Sequence, residues 1–480
     1  MSQPKNDAPV LIVSLLLTLG LLIAGGWWAY QLFAGKDQGV TPGGTDNGNA
    51  GTGVVNDVSS PGTVSRGESV LIASNQSPQK SAGVAAIAQQ NYPVAIQQFE
   101  QSLAANRNDP EALIYLNNAQ IGDQTAYTIA VVVPSPAVTD VAEELLRGVA
   151  QAHQEINQIG GINGVPLKVA IATDNDDPAQ AKKVAESLVK DPSILGVVGH
   201  FSSDVSLAAI DTYEAKQVVM MSPTSTSVDL SAAGDYSFRT VQSDAVAANS
   251  LAQYMLDQDQ LTQVAIFHNS ESNYSTSLKT EFSNAMLTKG GRVVSEFDVK
   301  APGFNGSQAV AEAIERGAEA LMLATTADTR GQALDVIAAN GRRLRLLGGD
   351  SLYNAEVLKI AQANAVGMVV AVAWHRGGTP NAIFPKAAQS LWGGPVSWRT
   401  AMAYDASQSF IYAIEKTGLT PDEITPAVVQ QTLIDPGFSA SGAAATVSFL
   451  YSGDRSLPPQ LVIVQPGVAA GTGYDYAPLP

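Results

Sequence analysis

The chain has 480 residues, with 44 Asp and Glu against 27 Lys and Arg, for a formal net charge of -17. That length allows two or three domains, and that charge argues against a surface built for nucleic acid or an anionic membrane. The absence of cysteine excludes disulfides, thiolate metal sites and a thiol nucleophile, and the four His, at 153, 200, 268 and 375, show no HxH or HExxH spacing.

Lys5 precedes an uncharged, mostly apolar stretch from Val10 to Ala34, with Trp27, Trp28, Tyr30 and Phe33 at its far end. It is long enough to cross a hydrocarbon core of roughly 30 Å, and the aromatics sit where an interfacial belt would. A cleaved signal peptide ending at Ala34 is the competing reading, but its apolar region is ordinarily only about 7–15 residues. The expectation is a cytoplasmic N-terminus at 1–9, a transmembrane signal anchor at 10–34, and a single-pass inner-membrane protein whose main domain lies in the periplasm. Residues 35–77, rich in Gly, Thr, Asn, Ser and Val, are expected as a flexible linker.

A helical segment follows at 78–122. Gly83, Ala86, Tyr92, Ala95, Ile96, Phe99 and Leu103 have helical spacing, Pro93 suits the first turn of a second helix, and Asp109-Pro110 suits a cap and first turn. The stretch resembles one tetratricopeptide repeat and the opening helix of the next. A lone repeat leaves a face unburied, so 81–122 is expected to meet the next domain or a protein partner.

From Tyr127 the pattern alternates. Thr128–Val133 reads as a strand, 138–159 as a helix with one apolar face, and Leu167–Ala172 as the next strand. A helix at 178–190 leads to the strand Ile194–Val198, and another helix leads to the strand Val218–Met221. After Phe238-Arg-Thr-Val241 the pattern restarts with strands Val264–His268, Gly291–Asp298, Ala320–Ala324, Leu344–Leu347 and Met368–Ala373, then a long helix at 397–417. Repeated βα units with short links predict parallel sheets covered on both faces. Ligands of such sheets lie beyond the carboxyl ends of the strands, where Phe201-Ser-Ser-Asp204 and Ser222-Pro-Thr-Ser-Thr226 gather small hydroxyls. No GxSxG elbow accompanies them, and neither His200 nor His268 has an evident base–orienter partner. Asp174-Asn-Asp-Asp177 lacks the calcium-loop spacing and reads as a turn capping the helix at Pro178. A binding protein is expected, not an enzyme, with no cofactor and no metal.

Several ordered stretches carry a resemblance. Leu146-Arg-Gly-Val149, Glu155-Ile-Asn157 through Gly160-Gly-Ile-Asn-Gly164, Asp174-Asn-Asp-Asp-Pro178, Val197-Val-Gly-His200, Met221-Ser-Pro223, Phe238-Arg-Thr240 and Ala403-Tyr-Asp-Ala406 are among them. Over about 126–465 the chain resembles type I periplasmic solute-binding proteins, the leucine/isoleucine/valine-binding branch of ABC transporter receptors. The resemblance implies an α/β fold of two Rossmann-like lobes joined by three hinge crossovers, near 239–243, 368–374 and 442–449. Lobe 1 would hold 126–241 and 374–442, lobe 2 would hold 242–373 and 443–470, and closure around a ligand would be hinge motion.

Carried onto this chain, the resemblance sets a ligand carboxylate against Ser203 or Asp204 and against Thr224, Ser225 and Thr226. It sets Tyr274 against the ligand from the second lobe, and Asp350 on a ligand ammonium. The chain also departs from the pattern. Asp204 stands where a Ser would help hold the carboxylate, Val141 where Tyr is frequent, and Thr325-Thr-Ala327 lacks an aromatic wall. Either Asp204 and Asp350 both face the cleft, favouring a basic amino acid, a polyamine-like solute or an amide, or Asp204 turns away to cap its own helix. The implied role is an extracytoplasmic receptor that captures an amino acid or related amine for an ABC permease. The alternative is an anchored sensory or scaffold protein whose tetratricopeptide-like helices grip a protein partner.

Overall fold

The computed structural model describes residues 64–378, 383–443 and 445–479. It contains two large sheets, and the chemistry of the strands explains their placement. In lobe 1, β1 (Val64–Ser65), β2 (Tyr127–Val133), β3 (Leu167–Thr173), β4 (Ile194–Val198), β5 (Val219–Ser222) and β6 (Ser237–Arg239) are ordered β1-β3-β2-β4-β5-β6. β2 lies near the middle, and all seven of its residues are buried. Its β-branched run suits a strand covered by helices on both faces. β2 through β6 run parallel; β1 alone is antiparallel, pairing Val64 with Ala172.

In lobe 2, β7 (Gln263–His268), β8 (Arg292–Asp298), β9 (Ala320–Ala324), β10 (Arg345–Gly348) and β11 (Val369–Val372) are parallel. β12 (Ala440–Ser441) and β13 (Thr446–Val447) form a small separate hairpin. β14 (Gln460–Pro466) and β15 (Tyr474–Pro478) extend the second sheet antiparallel beyond β11. The chain passes from the first sheet to the second after β6. It returns after β11 to the helices Ile383–Trp392 and Trp398–Thr417, which pack on Thr139–Gln158 of lobe 1. The last passage follows Arg455, whose guanidinium is buried against Asp405 of lobe 1 and Thr240 O.

Two glycines permit unusual approaches. A Cβ on Gly148 would lie 2.2 Å from Thr400 O and 2.6 Å from Tyr404 N, so the helices Thr139–Gln158 and Trp398–Thr417 touch backbone to backbone there. A Cβ on Gly349 would lie 2.2 Å from the Tyr274 hydroxyl, so only glycine at 349 leaves that ring its place beside the cleft.

Three expectations need correction. Among the described residues no helix is long and apolar enough to cross a membrane, and 10–34 lies outside them. The described architecture is therefore the two-lobed domain without a membrane helix, and the inner-membrane partnership and single-pass location, which rested on the apolar length of 10–34 alone, are not carried further. Residues 1–9 and 35–63 also lie outside the described part.

The stretch 64–77 does not behave as tether. β1 pairs with β3, and the Leu71 N–H donates to buried Glu111 at 2.6 Å.

Nor is 78–122 a tetratricopeptide-like module awaiting a partner. The helices Pro78–Ala88, Tyr92–Ala105 and Pro110–Ile121 exist, but their apolar residues (Val84, Phe99, Ile114 and Tyr115) share one core with lobe 1. Asn118 exchanges hydrogen bonds with both the N–H and the C=O of Val169, covering the backbone of β3 where β1 is too short to do so. Lys80, wholly buried, sits 2.9 Å from Asp109 and 2.7 Å from Glu111. Helical spacing was read correctly there, and of the two covers expected for the leftover faces, the next domain or a partner, the structure shows the chain's own next domain.

Candidate functional site

A cavity of about 300 Å³ opens between the carboxyl ends of the two sheets. Its walls come from the loops after β3 (Asp176), β4 (Phe201 to Asp204) and β5 (Thr224) of lobe 1. Facing them are the loops after β7 (Asn269 to Tyr274), β9 (Thr326 to Asp328) and β10 (Asp350, Ser351) of lobe 2. This is where parallel sheets leave backbone groups free for a ligand. Two helices, Ser203–Lys216 and Asn273–Thr288, begin at the cavity from opposite lobes, so the positive ends of two helix dipoles lie close to it, although in the second helix the N–H groups of Asn273 and Ser275 are already taken by Asp204 and Ser272.

Of the residues expected at the site, Ser203, Asp204, Thr224, Tyr274 and Asp350 line this cavity. Ser225 and Thr226 do not. The Ser225 hydroxyl is engaged with Phe201 O at 3.1 Å and with the Ser206 hydroxyl at 2.7 Å. Thr226 accepts the Asp244 N–H on its carbonyl at 2.8 Å, which starts the first lobe-2 helix. The Thr224 hydroxyl donates to Phe201 O at 2.7 Å and keeps its lone pairs free to accept. Ser203 accepts the Ser227 N–H at 3.2 Å, which leaves its own proton for a ligand oxygen.

Asp204 resolves its two open orientations in a third way. It lines the cavity, yet its oxygens turn across the cleft to lobe 2, accepting from the Ser272 hydroxyl at 3.2 Å and from Asn273 N and Nδ2 at 3.0 and 2.7 Å. Its own helix is not capped by a side chain.

Asp350 is the deep carboxylate. Only 9% of the residue is exposed, and burial pushes its carboxyl up to about 6, against the pull of the Arg399 guanidinium and the Tyr274 hydroxyl. Asp244, buried behind the hydroxyl loop, is likewise pushed up to about 7 by burial. Tyr274 is buried beside Asp350, and burial holds its hydroxyl well above its usual pKa.

Sequence reasoning missed several wall residues. Asp176 belongs to the Asp-rich turn, where Asp177 does cap the helix Pro178–Leu188 through Gln180 N at 2.8 Å. Asp176 itself faces the cavity, holds the Ser202 hydroxyl at 2.6 Å, and is pushed up to about 7 chiefly by burial. Glu271 and Asp328 add two more carboxylates, with Lys300 2.9 Å from Asp328 and 3.7 Å from Glu271. Trp398 and Arg399 come from a helix more than forty residues from any expected site residue. Their only signal was the capping Ser397 in front of them. His200 lies outside the cavity walls, buried between Asp174 at 2.6 Å and the Tyr213 hydroxyl at 3.0 Å.

The family model described as periplasmic binding protein matches residues 126–450. This chain belongs to the periplasmic binding protein family. The receptor is 30% identical over 336 residues to Leu/Ile/Val-binding protein homolog 3 of Brucella melitensis, an alignment covering 69% of this chain and 89% of that protein. It is 29% identical over 224 residues to the leucine-specific-binding protein of Salmonella typhimurium, spanning 46% of this chain and only 60% of that relative. Among solved structures, the ABC transporter substrate-binding protein from Desulfitobacterium hafniense superposes with a TM-score of 0.62 at 25% identity, over 73% of this chain and all of that one. The receptor is thus a two-lobed, extracytoplasmic solute-binding protein that captures its ligand by lobe closure, and it is not an enzyme.

Proposed function

We propose that the cavity binds an α-amino acid or a closely related amine, with its ammonium on Asp350. Its carboxylate would lie against Ser203, Thr224 and the N-terminal N–H groups of the helix Ser203–Lys216. The observation that carries this reading is Asp350 itself: a carboxylate nine-tenths buried on the floor of an interlobe cavity. Desolvation makes such a charge costly until a cation arrives. A ligand ammonium restores the lost interaction, and charge-assisted bonds are strong in a closed cleft. The hydroxyls and helix N-terminus on the facing lobe supply donors suited to a carboxylate. The names of the relatives, Leu/Ile/Val-binding protein homolog 3 of Brucella and leucine-specific-binding protein of Salmonella, support the same class of ligand, and delivery to an ABC permease is the role that fits it.

Isothermal titration of the full chain against the common amino acids and simple amines tests this. One of them should bind with 1:1 stoichiometry, and Asp350→Ala should weaken that ligand by at least about 100-fold. Flat titrations throughout, or an unchanged dissociation constant in the variant, would overturn it.

A further inference from the structure

Arg399 is the one cationic side chain among the described residues lining the cavity, and the binding of an ammonium and a carboxylate makes no use of it. The residue is 4% exposed, and its Nε–H is buried without a partner. Its other nitrogens are loosely engaged. One donates to Glu144 Oε2 at 3.2 Å and to Tyr353 O at 3.4 Å, and the other reaches Asp350 O only at 3.5 Å. The guanidinium carbon lies 4.7 Å from the centre of the Trp398 ring, and the Trp398 indole N–H is also buried with no acceptor.

Buried donors are nearly always satisfied, and an unsatisfied one is costly. A guanidinium fork is shaped for oxygen acceptors. A wall made to pack a branched aliphatic side chain would carry neither unpaired donor. The wall beside Asp350 therefore calls for an oxygen on the part of the ligand beyond its α-carbon. The remaining charge decides what kind of oxygen. Asp176, Asp204, Glu271, Asp328 and Asp350 line the cavity against Arg399, with Lys300 outside its walls. A second carboxylate on the ligand would enter a negative field. A neutral carbonyl would not, and the N–H groups of an amide or urea would meet the acidic residues as donors.

We propose that the ligand is an α-amino acid whose side chain ends in a neutral carbonyl group, a carboxamide or a urea, recognised by Arg399. The proposal rests on the amino-acid reading of the cavity and narrows it. The full chain is titrated calorimetrically with glutamine, citrulline, glutamate and leucine. Glutamine or citrulline should bind at least about 10-fold tighter than leucine and glutamate. Arg399→Met should weaken the carbonyl-bearing ligand by roughly 10- to 100-fold while leaving leucine equal or improved, the loss of a hydrogen bond to a charged donor.

Tighter binding of leucine or glutamate by the unaltered chain would overturn the inference and leave the amino-acid reading standing, as would an unchanged preference in the variant. Should the variant fail to fold, the ranking of the four ligands by the unaltered chain decides alone. Binding of none of the four, nor of any other amino acid, would refute the underlying reading together with this inference.

Discussion

Asp204 of lobe 1 and Asn273 of lobe 2 meet across the cleft. One carboxylate oxygen accepts both the backbone N–H of Asn273, at 3.0 Å, and its side-chain amide, at 2.7 Å. Asn273 opens the helix Asn273–Thr288, and Asp204 lies in the first turn of Ser203–Lys216. A single negative charge thus sits between the positive ends of two helix dipoles. The contact exists only when the lobes are together, so it stabilises the closed form specifically. Asp204→Ala should therefore shift the population toward open lobes. The expected readouts are a larger radius of gyration by small-angle scattering and a ligand dissociation constant raised roughly 10-fold, with thermal stability nearly unchanged.

Binding should weaken in mild acid. Burial raises the Asp350 carboxyl to about 6 in the free receptor, so it is largely ionised at neutral pH and protonated below. Arg399 and Tyr274 favour its charge, and Asp244 opposes it. An ammonium ligand needs the ionised form. The dissociation constant should be nearly flat between about pH 7 and 8 and rise by about tenfold per unit below pH 6. Titration calorimetry across that range checks this, and Asp350→Asn should abolish the acid limb.

The segment from 64 to 121 should prove inseparable from lobe 1. Lys80 is wholly buried between Asp109 and Glu111. Lys80→Met would leave two carboxylates buried without their cation, a loss of about 3–5 kcal/mol. Thermal denaturation should show one transition moved to lower temperature, not a separate early loss of the N-terminal helices.

Gly148→Ala tests the helix contact beneath lobe 1. The new methyl would strike Thr400 O and Tyr404 N, which are backbone atoms and cannot rotate away. The helices Thr139–Gln158 and Trp398–Thr417 would have to separate, at a cost of about 1–3 kcal/mol. Because Trp398 and Arg399 begin the second helix, ligand affinity should fall along with stability. Denaturant unfolding and titration on the same variant measure both.

Much of the fold was legible because the strand signals are local. The run Thr128–Val133 needs only its own β-branched residues to be read as a buried strand, and Asp177-Pro178 needs only three neighbours to be read as a cap. Ser203, Thr224, Tyr274 and Asp350 reach the cavity wall for a related reason: each lies in the loop or first helical turn after a strand of a parallel sheet, where such sheets open toward a ligand. Arg399 gave no such signal. The element before its helix is another helix, not a strand, and only the packing of Trp398–Thr417 on Thr139–Gln158 brings it to the cavity.

The helices at 78–121 show what a local pattern leaves open. Hydrophobic length states how much surface must be covered, and helical spacing states which face needs covering. Neither states by what. The chain by itself determined the alternation of strands and helices, the strand ends that line the cavity, and the absence of thiol chemistry, because each depends on residues near one another in sequence. Only the tertiary structure decided that Asp204 reaches over to Asn273, that 64–121 belongs to lobe 1, and that a guanidinium with an unpartnered Nε–H stands beside Asp350. Those relations join residues tens to hundreds of positions apart, and nothing short of folding sets the distance between them.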